Sequence, residues 1–392
     1  MSMLDTSTKQ IGTILGFLAD ELDVPEDLYA EMVRKYEHLS SWIKEDNAER
    51  FHTDSEIYPQ GSTRLGTMIS PVKKDCEYDV DLVYRRELSK RSVTQEELME
   101  QTGDQLRRYI ADLREEGGDV PELVRRRRCW ALNYKGRFHM DVLPSIPDDE
   151  AAIFTVRSLD AAILITDREL RQWQHSNPKG YAEWFNDRER RVLRERREVT
   201  AKAANVEIES IPEERVRTPL RRVVQILKRH RDIRYEGNPD DKPISVIITT
   251  LAAGAYSNET DLFDALISAV REMPKGVQNR NGGWWIPNPV NPKENFADKW
   301  NEEPRKATLF FQWLGQVEAD LTAAEQQTGG IHRVGEVLAP AFGGDVVRKS
   351  IERLGRETDA AQQRGDLRMA AKTGALGAVG SVVPKNTWYG DE

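Results

Sequence analysis

The sequence predicts an α+β fold in which strands cluster between helical segments, and three observations carry that expectation. Cys129–Leu143 alternates apolar and polar residues on both sides of Lys135-Gly136, the signature of a hairpin. Lys9–Glu45 and the stretch opening at Pro219 instead space their apolar residues at the helical period. Between them, Gly61-Ser62 is followed seventeen residues after the serine by Asp79-Val80-Asp81.

The first helical region carries Ile11, Ile14, Leu15 and Leu18, then Leu28, Met32, Val33, Tyr36, Leu39 and Ile43, and breaks at Asp23-Val24-Pro25. A further helix spans Thr94–Glu116 with Leu98, Leu106, Ile110 and Leu113 on its apolar face; Thr94 and Glu97 form a capping box. In the hairpin, Trp130, Leu132 and Tyr134 alternate outward and Phe138, Met140 and Val142 return, so Asp141 lies on the opposite face from the last three. Thr166–Glu209 is polar and then arginine-rich, and reads as a helical connection. Beyond Pro219, Leu220, Val223, Val224 and Leu227 form the apolar side of a helix whose polar side holds Arg221, Gln225, Lys228 and Asp232. Ser245–Tyr256 is more continuously apolar and predicts a buried helix. Helices follow near Asp261–Val270, Phe296–Trp300 and Lys306–Leu321, and Gly374–Val383 lacks periodicity and reads as a tail. The resulting division is 1–50 for N-terminal helices, 51–215 for the strand-bearing domain and its connection, 216–335 for a helical lobe, and 336–392 for a terminal helix and flexible tail.

Composition narrows the function. The chain has 392 residues and a net charge of −9. A protein living on long nucleic acid ordinarily carries a basic field, so small nucleotides are favoured over stable long nucleic-acid partners. The basic runs Arg125–Arg128 and Arg188–Arg197 are local, and the second is interleaved with glutamates. No apolar run approaches the roughly 20 residues that span a bilayer, and Met1–Gly12 has no signal-peptide core, so a cytoplasmic location is expected with no membrane partner. Two cysteines, Cys76 and Cys129, exclude a disulfide framework and predict reduced thiols in or near the core.

The chemistry concentrates in three carboxylates. Asp79 and Asp81, two apart on a strand, point the same way while Val80 and Leu82 face the core. With Asp141 they form a set of oxygen ligands suited to Mg²⁺. Converging carboxylates repel one another unless a cation is present. Gly61 lets backbone approach a triphosphate, and the Ser62 hydroxyl offers a phosphate contact or a helix cap. No Gly-Lys-Ser/Thr follows, so the loop is not a Walker A motif. Together these parts predict a template-independent nucleotidyltransferase, in which a hydroxyl attacks an α-phosphate across two metals roughly 3.5–4 Å apart. Asp79 and Asp81 would hold both metals and Asp141 would stand near the attacking hydroxyl. His52, His139, His175 and His332 lack metal-ligand spacing, although His139 shares Asp141's strand face. Trp284-Trp285 offers base stacking or plain loop packing.

These motifs resemble the cGAS/DncV-like nucleotidyltransferases (CD-NTases), the bacterial cyclic-oligonucleotide synthases of antiphage CBASS signalling. The resemblance rests on Gln60-Gly61-Ser62, Asp79-Val80-Asp81 and Asp141. It extends through Val224-Gln225-Ile226-Leu227-Lys228-Arg229-His230, Ile244-Ser245, Asn291-Pro292 and Asn295-Phe296-Ala297-Asp298-Lys299-Trp300, covering about residues 50–310. It implies a polymerase-β-like palm with a mixed β-sheet, N-terminal helices and a C-terminal helical lobe. Catalytic and metal-holding Asp79, Asp81 and Asp141 follow from it, with Gln60, Gly61, Ser62, Lys228 and Ser245 on the nucleotide. It further implies two Mg²⁺ ions with Mn²⁺ as substitute, ATP and GTP as candidate substrates, and a cyclic di- or trinucleotide product. A regulator of the HORMA or ubiquitin-transfer-like type is the implied protein partner, with the tail Arg364–Glu392 as a candidate contact. The zinc insertion of animal cGAS is missing, which sets direct DNA sensing aside. The rival expectation within the superfamily is an enzyme that tails RNA or modifies a small molecule or protein; outside it, a catalytically silent scaffold.

Overall fold

The hairpin read from alternation is present, embedded in a seven-stranded mixed sheet, in the computed structural model of the chain. The structure describes residues 3–51, 53–73, 76–154, 158–167, 169, 172–327, 330–366, 368–369, 376–377 and 381–383. The strands are β1 (Ser55–Pro59), β2 (Tyr78–Arg86), β3 (Glu122–Arg125), β4 (Trp130–Tyr134), β5 (Phe138–Pro147), β6 (Ile163–Ile165) and β7 (Gln174–Ser176). Their order is β1-β2-β5-β4-β3, with β6 pairing β5 and β7 pairing β6. Among the described strands only β2 and β5 run parallel, with Asp79 opposite His139 and Asp81 opposite Asp141. A parallel pair needs a crossover, and the helix Gln95–Glu115 lies within the one joining these two strands.

The chain divides into two compact units, residues 23–221 with 277–302, and residues 1–22 with 222–276 and 303–392. In the sheet-bearing unit, one face of the sheet is apolar: Val80, Leu82 and Tyr84 from β2, Leu132 and Tyr134 from β4, and Phe138, Met140 and Val142 from β5. They pack with Met32, Leu39 and Ile43 of the helix Glu26–Asp46 and with Leu106, Tyr109 and Leu113 of the helix Gln95–Glu115. Full burial of each such side chain contributes about 1.5–3 kcal/mol, which fixes the register and leaves the alternate residues of β2 and β5 on the other face. Thr94 caps the second helix as the sequence predicts: its hydroxyl accepts from the Glu97 N–H at 3.2 Å, and the Glu97 carboxylate accepts from the Thr94 N–H at 2.8 Å. Gly103 in this helix admits the Trp130 ring, which a Cβ would strike; the indole N–H then donates to the Met99 carbonyl at 2.9 Å.

Beneath the sheet lies a buried polar network. Asn47 Nδ2 donates to Tyr84 Oη at 2.7 Å, and that hydroxyl donates to Gln105 Oε1 at 2.8 Å. Gln105 Nε2 and Arg108 both donate to Asp46, at 2.9 and 2.7 Å. Asp46, Asn47, Tyr84, Gln105 and Arg108 are thus hydrogen-bonded to one another, the condition under which a polar core stabilises.

The connection expected over Thr166–Glu209 is only partly helical. It contains β7, whose Gln174-His175-Ser176 has no apolar alternation, before the helices Pro178–Arg188 and Arg190–Ala204. In the other unit, the helix Met3–Glu21 packs against Leu262–Glu272, Arg305–Glu325 and Gly344–Arg364. The helix Pro219–Arg234 buries Leu220, Val223, Val224 and Leu227 as its periodicity predicts. Its polar side is buried too, including Gln225, Lys228 and Arg231. Most of the proposed tail from Gly374 onward lies outside the described residues, as do His52 and the stretch Trp388–Glu392.

Candidate active site

The apolar packing of one sheet face turns Asp79, Asp81, His139 and Asp141 onto the other. Neighbouring register positions of β2 and β5 supply all four. Nε2 of His139 stands 3.1 Å from Asp79 Oδ1 and 4.0 Å from Asp141 Oδ1. One ligand atom from each of Asp79, His139 and Asp141 lies within 4.8 Å of the others.

Asp81 meets the loop. The Gln60 N–H donates to the Asp81 carbonyl at 2.9 Å, and Gly61 lies so close that a Cβ there would stand 2.6 Å from Asp81 Oδ2. Gly61 also has φ +56°, a left-handed backbone that side chains disfavour. Gln60 and Ser62 flank this contact, so the structure brings the Gln60-Gly61-Ser62 loop to the acid pair. Ser62, however, is not a cap. The short helix Gly61–Leu65 takes Gln60 as its N-cap residue and has no side-chain cap bond, leaving the Ser62 hydroxyl inside the first turn.

The electrostatics are those of crowded acids. Burial pushes the Asp141 carboxyl above its ordinary value, helped by Asp79, while Arg126 and His139 pull the other way. Asp141 Oδ2 accepts from Arg126 Nη1 at 2.9 Å. Its Oδ1 is buried and receives no well-formed hydrogen bond; the neighbouring Cys129 thiol is only a weak donor. A hydrogen bond to Asp79 raises the His139 imidazole, against the opposing effect of burial. An unsatisfied buried carboxylate oxygen beside two further acids is a donor set that fits a hard divalent cation.

Sequence reasoning missed Arg126. It saw a basic run, whereas the structure gives each member an acidic partner: Arg125 with Glu96 and Glu100, Arg126 with Asp141, and Arg127 and Arg128 with the fully buried Asp167. Cys129 packs against a small core cluster, whereas Cys76 is exposed, so the expectation of two core thiols holds for one. Trp284 packs edge-on to Trp300 at 6.3 Å, and Arg280 stacks 4.8 Å over Trp285. Both rings therefore pack against neighbouring side chains, while the buried Trp285 Nε1 has no hydrogen-bond partner.

Lys228 and Ser245 belong to the other unit. Lys228 is 5% exposed, and Ser245 opens the helix Ser245–Ala255, its hydroxyl accepting from Arg231 Nη1 at 2.8 Å.

Residues 13–189 match the Second Messenger Oligonucleotide or Dinucleotide Synthetase domain family. Over the full length of both chains, the protein is 30% identical to a c-di-GMP synthase of Roseivirga ehrenbergii. The chain belongs to the CD-NTase family. It is a nucleotidyltransferase of the cyclic-dinucleotide synthase kind. Solved CD-NTases share the fold. The CdnG of Bradyrhizobium diazoefficiens, in complex with GTP, superposes with a TM-score of 0.66 at 23% identity, covering 88% of this chain and 99% of that one. CdnC of Escherichia coli MS115-1, in a complex with HORMA-deltaN, gives 0.60 at 13% identity, covering 84% and 96%. The expected polymerase-β-like fold with its mixed sheet and helical C-terminal region therefore stands. Among the described residues no helix is long and apolar enough to cross a membrane.

Proposed function

We propose that this CD-NTase joins two molecules of GTP into a cyclic dinucleotide, with Asp79, Asp81 and Asp141 holding two Mg²⁺ ions. The observation that carries guanine is the full-length likeness to a protein named c-di-GMP synthase. The GTP complex of a structural neighbour supports it.

When bound, the ions would polarise the α-phosphate and ease ionisation of the attacking hydroxyl. The remaining work belongs to the chain. The Gly61 backbone, free of a Cβ, lets the triphosphate approach beside Asp81, and the Gln60 and Ser62 groups orient its oxygens. In this reading Lys228 neutralises phosphate charge and the Ser245 hydroxyl is a phosphate contact. A ribose hydroxyl of one GTP attacks the α-phosphorus of the second; the new P–O bond forms as the α–β bridging bond breaks, and pyrophosphate leaves. The hydroxyl proton passes toward Asp141, whose carboxyl burial raises above its ordinary value. Repetition within the linear intermediate closes the ring and releases a second pyrophosphate. Positioning and charge neutralisation dominate such chemistry.

The same reading places the enzyme in antiphage signalling, with a HORMA- or ubiquitin-transfer-like regulator as protein partner. Support for a regulator comes from the CdnC–HORMA complex of a structural neighbour. The substrate assignment is tested by mass spectrometry of products from each nucleoside triphosphate alone and from all four mixed, with Mg²⁺. GTP alone is expected to give a cyclic product resistant to phosphatase. A product that requires ATP would overturn the guanine assignment, and a requirement for an RNA acceptor would point to the tailing alternative.

A further inference from the structure

We propose that His139 is a nitrogen ligand of the metal site, completing with Asp79 and Asp141 a mixed nitrogen and oxygen donor set that favours Mn²⁺ over Mg²⁺. The proposal rests on the reading that those two aspartates hold metal.

Three features of the site lead to it. First, the sheet fixes His139 in place. It sits opposite Asp79 in the β2–β5 register and two residues before Asp141, so all three side chains rise from one face. Its side chain is 16% exposed, against 56% for Asp79, so the imidazole is the better ordered donor of the two. Second, the distances suit a shared cation. Donors in adjacent positions around an ion bound at about 2.1 Å stand roughly 3 Å apart, and His139 Nε2 lies 3.1 Å from Asp79 Oδ1 and 4.0 Å from Asp141 Oδ1. Third, the buried Asp141 Oδ1 lacks a well-formed hydrogen bond, an independent sign that the space between these atoms is built for a ligand.

Arg126 Nη1 approaches Nε2 at 3.4 Å, so a metal on that nitrogen would displace the guanidinium from the ring while leaving its 2.9 Å bond to Asp141 Oδ2 available. On the far side of the ring, Nδ1 lies 3.9 Å from Glu77 Oε2, beyond hydrogen-bond distance but on the side from which a carboxylate orients a metal-bound imidazole. Imidazole nitrogen binds transition metals better than it binds Mg²⁺, which prefers oxygen and retains its water. An all-carboxylate site would not discriminate in this way.

The test is pulsed electron paramagnetic resonance of the full chain loaded with one equivalent of Mn²⁺. The expected spectrum shows nitrogen modulation that changes when histidine is labelled with ¹⁵N and disappears in His139→Ala. Titration of that variant should show Mn²⁺ affinity reduced about tenfold or more, while His139→Asp, which returns an oxygen donor, should shift preference toward Mg²⁺. Thermal melting checks that both variants fold. If Mn²⁺ binds wild-type protein without histidine coupling, and that binding is lost in Asp79→Asn, the proposal is overturned while the aspartate reading stands. If Asp79→Asn binds Mn²⁺ as wild type does, the aspartate reading itself fails and takes the proposal with it.

Discussion

Gly61 backs directly onto Asp81: a Cβ at position 61 would stand 2.6 Å from the aspartate's Oδ2, and the backbone there has φ +56°. The loop and the acid pair are therefore one construction, in which a missing side chain on the loop leaves room for a carboxylate on β2. Both requirements point to glycine, one through backbone conformation and one through contact. Gly61→Ala should cost about 1–2 kcal/mol through the left-handed backbone alone. It should also push Asp81 from its place and lower turnover by about a hundredfold. Thermal melting and initial rates check this, and near-wild-type turnover would show that the contact relaxes freely.

Arg231 positions Ser245 through the 2.8 Å bond to its hydroxyl. If Ser245 contacts the triphosphate, Arg231→Met should raise the KM for nucleotide as Ser245→Ala does, and the double variant should add little. Steady-state kinetics on the three variants decide it. Fully additive effects would mean the two residues act separately.

Glu189 and Arg221 form a buried ion pair at 2.8 Å, with side chains 0% and 2% exposed. Burial raises the Glu189 carboxyl despite Arg221, so the pair holds an expensive charge. Arg221→Leu should destabilise by about 3–5 kcal/mol because it leaves that charge alone. Adding Glu189→Leu should recover part of the loss. Denaturant unfolding of both variants measures the coupling.

Asp46 gives the fold an acid-sensitive component. Burial pushes its carboxyl up, but hydrogen bonds from Arg108 and Gln105 outweigh this and hold it below the ordinary value of 3.8. A folded-state value lower than the unfolded one contributes stability that is complete above the unfolded value and is lost as pH falls through the folded one. Wild-type stability should therefore drop below about pH 4 more steeply than that of Asp46→Asn, which should start less stable at neutral pH. Melting curves between pH 3 and 7 compare the slopes.

Local pattern carried much of the fold. The alternation around Lys135-Gly136 and the capping box at Thr94 each specify an element from within their own segment, and both are present. The face of Asp141 followed from its neighbours Met140 and Val142, whose burial leaves no other direction. What stayed hidden depends on distant partners. β7 is polar and forms because β6 offers an edge. The polar side of Pro219–Arg234 is buried because partners meet it: Arg222 reaches the Ala19 carbonyl and Asp20, and His230 lies between Trp313 and Asp320. Arg126 is paired to Asp141 only once β3 and β4 bring them together. Helical periodicity alone cannot reveal such tertiary partners.

In the proposed reaction the acids of β2 and β5 perform the nucleotidyl transfer, and product formation by Asp79→Ala/Asp81→Ala is the decisive measurement. With labelled GTP and Mg²⁺, wild-type protein should yield a phosphatase-resistant cyclic dinucleotide, while the variant should melt near the wild-type temperature and yield none. Wild-type amounts of product from the folded variant would mean that these acids do not carry the reaction.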